Sequence, residues 1–140
     1  MFQDWKTKIL RNMNTCYELF GIECGYGWYG LVMPILRELK KYNKEQKEIN
    51  PEWEDIKPGQ IKEKWGGLRF YCSAPEHIQK MIEKAEKLSY HICEKCGSPK
   101  DVGITSTGWI KTLCKECAVE KEDWTPVSTL ALSSTEDGFE

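Results

Sequence analysis

Four of the seven cysteines form two closely spaced pairs, CEKC at 93–96 and CKEC at 114–117. Two residues between the cysteines of a pair let one tight turn direct both sulfur atoms at the same ion. The spacing therefore predicts a zinc site whose ligands are Cys93, Cys96, Cys114 and Cys117. Four thiolates leave no coordination position for water, so we expect this zinc to be structural. Two reactive dithiols of a redox protein are the alternative that the same cysteines allow.

The remaining thiols, Cys16, Cys24 and Cys72, give little support for catalysis. Cys16 and Cys72 fall on apolar faces of predicted elements and are interpreted as small buried hydrophobic residues. A nucleophilic cysteine needs a nearby base, and the chain contains only His77 and His91. The motifs of serine hydrolases, zinc proteases and Walker-type phosphate loops are absent as well. We therefore expect a protein that is not an enzyme.

A second candidate site is the stretch IKEKWGGLRFYC at 61–72. Two alternating runs around a glycine pair predict a β-hairpin that turns at Gly66 and Gly67, both at positive φ. In that register Lys64 lies directly opposite Arg69. Like charges in opposed positions destabilise a sheet, so either solvent or a bound anion must offset the repulsion. The residues on this face of the hairpin are Lys62, Lys64, Arg69 and Tyr71.

The glycine-rich stretch ECGYGWYG at 23–30 places Tyr26, Trp28 and Tyr29 in a predicted loop before a helix. Flat aromatic rings stack on nucleobases, lysine and arginine hold phosphates, and amides at a helix start favour anions. Together with the basic hairpin face, this loop predicts a binding site for a nucleotide or a short oligonucleotide. The alternative is that Trp28 and Tyr29 belong to the core and that the basic face is solvated.

The elements that must position these groups are three helices, one hairpin and a cysteine-rich module. Apolar residues at three- and four-residue steps predict helices over 2–20 and 31–47. The stretch SAPE at 73–76 predicts a capping box, with Ser73 as the cap, at the start of a third helix. The fold class is therefore predicted to be α+β, with helices packed on a β-hairpin and a C-terminal zinc ribbon.

Composition divides the chain into a helical and β-hairpin domain at 1–90, a zinc-ribbon module at 91–120 and a flexible acidic tail at 121–140. The net charge of −2 argues against a general nucleic-acid coat protein. No signal peptide and no apolar run of the length of a membrane span is visible, so we expect a cytoplasmic protein without a membrane partner. A reducing compartment agrees with metal binding rather than disulfides. The sequence is also compatible with a homo-oligomer.

The chain resembles a family of small phage and prophage proteins in three motifs. These are G-x-G-W-Y, K-x-K-[FW]-G-G-L-R-F-Y and a C-terminal C-x2-C…C-x2-C module, here at 25–29, 62–71 and 93–117. The resemblance extends over roughly residues 16–118. It implies a phage-encoded accessory protein that acts against host defence in the host cytoplasm, either by sequestering a signalling nucleotide or by binding a host protein.

Three functions are compatible with these observations. The first is a non-enzymatic binder of a nucleotide-type anion, in its most specific form a sponge for the cyclic oligonucleotide signals of host anti-phage defence. The second is a zinc-ribbon interaction module that inhibits a host protein. The third is a nucleic-acid-binding zinc ribbon, which the slightly negative net charge disfavours.

Overall fold

The computed structural model describes residues 22–106, 108–119 and 123–127. Within these ranges the chain forms two α-helices and two small three-stranded sheets. The predicted α+β class is confirmed, and the C-terminal part carries a cluster of four cysteines that is compatible with a zinc ribbon. The helix predicted over 2–20, which contains Cys16, lies outside the described residues.

The first sheet has the order β1-β2-β3 and contains the predicted hairpin. Strand β1 (Ile22–Glu23) pairs in parallel with β2 (Gln60–Lys64), which pairs antiparallel with β3 (Gly67–Tyr71). Alternation along the strands buries Ile61, Leu68 and Phe70 and turns the basic residues to the other face, as the sequence predicts.

The two helices cover the buried face of this sheet. Helix α1 (Tyr29–Ile49) continues directly from a 3-10 turn (Tyr26–Trp28), and α2 (Glu76–Ser89) follows β3. Buried side chains of both helices and of the sheet form one core. Its fully or almost fully buried members include Trp28, Val32, Ile35, Leu36, Leu39, Leu68 and Ile78.

Helix α2 also covers the free edge of β3. The Ser89 hydroxyl accepts a hydrogen bond from the Leu68 amide at 2.9 Å, and the Glu86 carboxylate accepts one from the Phe70 amide at 2.8 Å. These bonds occupy two amides that an edge strand would otherwise leave unpaired. The predicted capping box of α2 is wrong, because Pro75 and not Ser73 is the N-cap residue and no side chain caps this end.

The register of the hairpin differs from the predicted one. Lys62 lies opposite Arg69, Lys64 lies opposite Gly67, and the turn is formed by Trp65 and Gly66. Both turn residues have positive φ, 57° for Trp65 and 83° for Gly66, as a tight two-residue hairpin turn requires. The predicted Lys64–Arg69 opposition and the predicted positive φ at Gly67 are therefore wrong. A like-charge pair persists, but Lys62 takes the place of Lys64.

The second sheet belongs to the cysteine module and has the order β5-β4-β6. Strand β4 (Val102–Ile104) pairs antiparallel with β5 (Thr112–Cys114) and with β6 (Thr125–Pro126). Val127 is buried, and its amide donates to the Val102 carbonyl at 2.9 Å. Residues 123–127, which the sequence assigned to a flexible tail, are therefore part of the module. The tail prediction for 128–140 lies outside the described residues.

The hairpin turn generates a pair of opposite stability predictions. Trp65→Asn should raise the free energy of unfolding by about 1 kcal/mol, because asparagine adopts left-handed backbone at lower cost. Trp65 is 65% exposed, so little apolar burial is lost in that variant. Gly66→Val should lower the free energy of unfolding, because valine is strained at this φ and its Cβ would lie 3.1 Å from Ile110 Cγ2. Denaturant unfolding measures both, and a clear loss of stability in Trp65→Asn would contradict the left-handed turn.

Candidate metal centre and ligand-binding surfaces

The four predicted zinc ligands converge on one point of the cysteine module. One sulfur atom from each of Cys93, Cys96, Cys114 and Cys117 lies within 4.8 Å of the other three. The Cys96 and Cys114 sulfur atoms are 3.7 Å apart. A tetrahedral shell with metal–sulfur bonds of about 2.3 Å has edges of about 3.8 Å, so the donor set fits a four-coordinate metal ion.

Burial and hydrogen bonding give these thiols different acidities. Burial raises the pKa of the Cys93 thiol, but hydrogen bonds from the backbone at Cys114, Cys96 and Lys95 more than offset this and lower it to about 7. Burial and neighbouring thiols raise the pKa of Cys117, and burial raises the pKa of Cys96. A cation at the centre of the cluster would favour the deprotonated form of all four, as metal binding by thiols requires.

The first cysteine pair is in direct backbone contact with the aromatic loop. The Gly27 amide donates to the Glu94 carbonyl at 2.7 Å, and the Gly25 amide donates to the Glu94 carboxylate at 2.8 Å. A Cβ atom at Gly27 would overlap the Cys93 carbonyl oxygen, and one at Gly25 would overlap the Glu94 carbonyl oxygen. The two glycines therefore permit a close approach of two backbones. The amides of both glycines donate to Glu94 and are therefore not available to a bound anion.

The aromatic residues of the loop have three different environments. Trp28 is fully buried, and its indole nitrogen donates to the Ile92 carbonyl at 2.9 Å, so Trp28 is a core residue that joins the loop to the cysteine module. Tyr29 is half-buried and packs on the core formed by the two helices and the first sheet. Tyr26 is 41% exposed, and its ring lies 6.3 Å from that of Tyr29 in a stacked arrangement. Tyr26 is therefore the ring of this loop that offers the largest surface to a ligand.

A second contact joins the hairpin tip to strand β5. The Thr112 hydroxyl donates to the Gly66 carbonyl, and Thr112 is fully buried. The Lys111 ammonium donates to the Glu63 carboxylate at 3.0 Å and lies 3.6 Å from a carboxylate oxygen of Glu94. The regions predicted as separate domains at 1–90 and 91–120 thus share a polar interface.

The charges at this interface lie in surroundings from which water is partly excluded. Burial raises the pKa of Glu94, although the Lys111 charge and the Gly25 amide offset part of the shift. Burial lowers the pKa of Lys111, but the carboxylates of Glu63 and Glu94 outweigh this effect and raise it. Neither Glu94 nor Lys111 was singled out from the sequence. The only signal for Glu94 is its position between two zinc-spaced cysteines.

The basic face of the first sheet carries three cations and one acidic neighbour. Arg69 donates hydrogen bonds of 3.1 Å to the Tyr90 hydroxyl and to the Leu68 carbonyl. Neither of these two acceptors carries a charge. Glu23 neighbours Lys62 in the sheet, but its carboxylate accepts from the Gln60 amide group at 3.0 Å. Within the described part of the chain, none of the three cations, Lys62, Lys64 and Arg69, forms an ion pair with a carboxylate.

Two cavities of the described structure each contain one of the seven predicted ligand-binding residues. Tyr26 lines a cavity of about 390 Å³ together with residues of the cysteine module. Tyr71, 46% exposed, lines a separate cavity of about 390 Å³ with residues 56–57, 59 and 72–73. Lys62, Lys64 and Arg69 line neither of these two cavities; Lys64 is exposed, and Lys62 and Arg69 are half-buried.

Two exposed tryptophans were not identified from the sequence as candidates. Trp65 occupies the strained hairpin turn, and Trp109, which is 84% exposed, lies in the loop between β4 and β5. The turns that carry them are in contact, because Gly66 packs beside Ile110 and Thr112. The sequence places a tryptophan beside a glycine at each position, but it does not reveal that the two turns meet.

Two thiols outside the cluster, Cys24 and Cys72, have surroundings that disfavour nucleophilic chemistry. Cys24 is buried in the first core. Burial raises the pKa of the Cys72 thiol to about 11, which keeps it protonated at neutral pH. His77 lies 3.4 Å from the Glu38 carboxylate, and burial lowers the pKa of His91.

Because the loop packs closely on the first cysteine pair, we expect the free energy of unfolding to depend strongly on side-chain size at position 27. Gly27→Ala should lower the free energy of unfolding by about 1–3 kcal/mol, in the range of overpacked sites, because the obstructing atoms belong to the backbone. Gly30→Ala is a matched control, since no atom lies within 4 Å of a Cβ there and alanine favours the helix. Thermal denaturation of both variants tests this, and equal stability of the two would contradict the contact.

The thiol cluster predicts one metal ion per chain. Protein purified without added metal should contain one equivalent by elemental analysis, and Cys114→Ser should lose it together with the folded cysteine module. Cys72→Ser, which changes a thiol outside the cluster, should retain the metal. A folded, metal-free parent with four reduced thiols at these positions would show that the cluster is not a metal site.

No helix among the described residues has both the length and the apolar character needed to cross a membrane. No protein-family model matches this chain, and the searches of curated proteins and of solved structures gave no significant match.

Proposed function

We propose that this protein is a non-enzymatic accessory protein of the phage type that binds a nucleotide-type anion on the basic face of its first sheet. The metal ion is proposed to be zinc in a structural role, held by the four cysteines of the module. Four sulfur ligands at tetrahedral spacing support zinc and leave no open coordination position for chemistry.

The observation that carries this proposal is the opposition of Lys62 and Arg69 in neighbouring strands. Side chains in directly opposed positions lie about 4.5–5.5 Å apart at Cβ, and like charges on such a pair of residues are destabilising. Neither cation has a carboxylate partner among the described residues, and Arg69 bonds only to uncharged oxygens. A phosphate between them would remove the repulsion and accept charge-assisted hydrogen bonds from both.

The remaining features of the face favour a ligand larger than a single phosphate. Lys64 extends the row of cations toward the hairpin tip, and Tyr71 offers an exposed ring on the same face. A ligand with several phosphates and flat bases matches both features. The resemblance to small phage proteins supports the narrower proposal that the ligand is a cyclic oligonucleotide signal of host defence, which the protein would sequester.

A second candidate function is the docking of a host protein on the two exposed tryptophans. Trp65 holds a large ring in left-handed backbone, where asparagine or glycine would have a lower conformational energy. A strained residue of this kind is a reason to look for a function. Tryptophan dominates many protein interfaces, and the turn of Trp65 touches the turn of Trp109. This candidate would be favoured if Trp65→Asn gained stability but no nucleotide bound the parent protein.

The nucleotide proposal predicts opposite effects of one substitution on binding and on stability. Lys62→Ala should weaken binding of the best ligand in a panel of mononucleotides and cyclic di- and trinucleotides by about 1.5–3 kcal/mol, the value of a hydrogen bond to a charged group. The same change should leave the ligand-free protein as stable as the parent or slightly more stable, since a like-charge pair is removed. Calorimetric titration and thermal denaturation measure the two effects.

Lys44→Ala is the matched control, because it removes the same charge from an exposed position of α1. Its affinity for the ligand should equal that of the parent. Short single-stranded oligonucleotides are included in the panel to detect the nucleic-acid-binding alternative. The proposal is abandoned if no nucleotide binds the parent, or if both lysine variants weaken binding equally.

A further inference from the structure

The cavity at the interface of the aromatic loop and the cysteine module has the size and lining of a small-ligand site. Its volume of about 390 Å³ lies within the usual range of roughly 300–1,000 Å³ for ligand pockets. Three separate segments of the chain, at 25–26, 94–95 and 111–113, form this cavity. The hydrogen bonds of Glu94 to Gly25 and Gly27 hold the first two segments together. The lining residues are Gly25, Tyr26, Glu94, Lys95, Lys111 and Leu113.

The polar groups of this cavity offer both an acceptor and a donor. Glu94 is only 7% exposed, and one carboxylate oxygen accepts from the Gly25 amide. A carboxylate has about four acceptor positions, so this one contact leaves acceptor capacity on the Glu94 carboxylate. The Lys111 ammonium donates one hydrogen bond to Glu63. Because an ammonium group has three N–H donors, it can also donate to a ligand. Acceptor and donor lie side by side, 3.6 Å apart.

This arrangement disfavours a phosphate and favours a flat, uncharged ring. Two carboxylates, Glu94 and Glu63, lie against the Lys111 ammonium and would repel a second anion. The exposed Tyr26 ring supplies a stacking surface, and Leu113 adds an apolar contact. Base–aromatic stacking tolerates any nucleobase, so the hydrogen-bonding groups must determine the choice among bases.

We propose that this cavity binds a nucleobase of the guanine type, stacked on Tyr26, with its donor edge on the Glu94 carboxylate and its carbonyl oxygen on the Lys111 ammonium. Guanine carries two adjacent N–H donors beside a carbonyl acceptor, which matches the adjacent carboxylate and ammonium. Adenine presents one amino donor and no carbonyl oxygen, so it satisfies fewer groups. The inference goes beyond the proposed anion-binding function, since none of the basic-face residues lines this cavity and Lys111 pairs with Glu63, which lies on the opposite face of the sheet.

The test uses nucleosides, because they carry the base without the phosphate. Guanosine and adenosine are titrated into the full-length, metal-loaded protein, and binding is followed by calorimetry and by the NMR signal of the Gly25 amide. Guanosine should bind at least about tenfold more tightly than adenosine and shift the Gly25 signal. Tyr26→Leu should weaken guanosine binding at least about tenfold, as expected from loss of a stack, while Tyr26→Phe should retain it.

A further variant separates this inference from the proposed function. Lys62→Ala should leave guanosine affinity unchanged while it weakens binding of a phosphate-bearing ligand. If guanosine does not bind, or binds no better than adenosine, the cavity assignment is overturned even where Lys62→Ala still weakens nucleotide binding. If guanosine binds as proposed but phosphates add no affinity, the cavity assignment stands and the anion-binding function of the sheet face is overturned.

Discussion

The structure depends on the contact between the backbone of Cys93–Glu94 and the loop Gly25–Gly27. Glu94 bonds to the loop through both its carbonyl and its carboxylate, and a side chain at either glycine would overlap the Cys93–Glu94 backbone. The same dipeptide contributes a sulfur atom to the thiol cluster and a carboxylate to the pairing with Lys111. Local order in the cysteine module is therefore transmitted directly to the aromatic loop and, through Lys111 and Glu63, to the hairpin.

This contact places two chemically different surfaces on one small protein. The interface cavity is lined by the Tyr26 ring, the Glu94 carboxylate and the Lys111 ammonium, which also pairs with Glu63, and this lining suits an uncharged planar group. The sheet face presents opposed cations without carboxylate partners in the described residues, which suits an anion. Glu63, which pairs with Lys111, lies on the sheet face opposite Lys62 and Arg69, so the two surfaces are separate. Trp65 and Trp109 mark a third surface, whose strained turn fits better with protein contact.

Local patterns in the sequence were sufficient for the features that depend on neighbouring residues. Cysteine spacing predicted the thiol cluster, and alternation predicted the buried and exposed faces of the hairpin. The register was wrong because a tryptophan in left-handed backbone is unfavourable locally, and only contacts of Gly66 with the cysteine module reveal why the turn starts one residue earlier. The contact of the glycine loop with Glu94 could not be predicted, because these two segments are distant in sequence. The roles of Glu94 and Lys111 likewise arise only when distant segments meet.

The central claim is that the cysteine module holds the aromatic loop in place, and hydrogen exchange tests it most directly. The amide exchange of Gly27 is measured by NMR before and after removal of the metal with a chelator. The Leu68 amide, which donates to the Ser89 hydroxyl in the core of the helices and the first sheet, serves as the internal reference. We expect chelation to accelerate exchange at Gly27 together with the amides of the cysteine module, while Leu68 stays protected. Continued protection of Gly27 after the module amides have exchanged would contradict the claim.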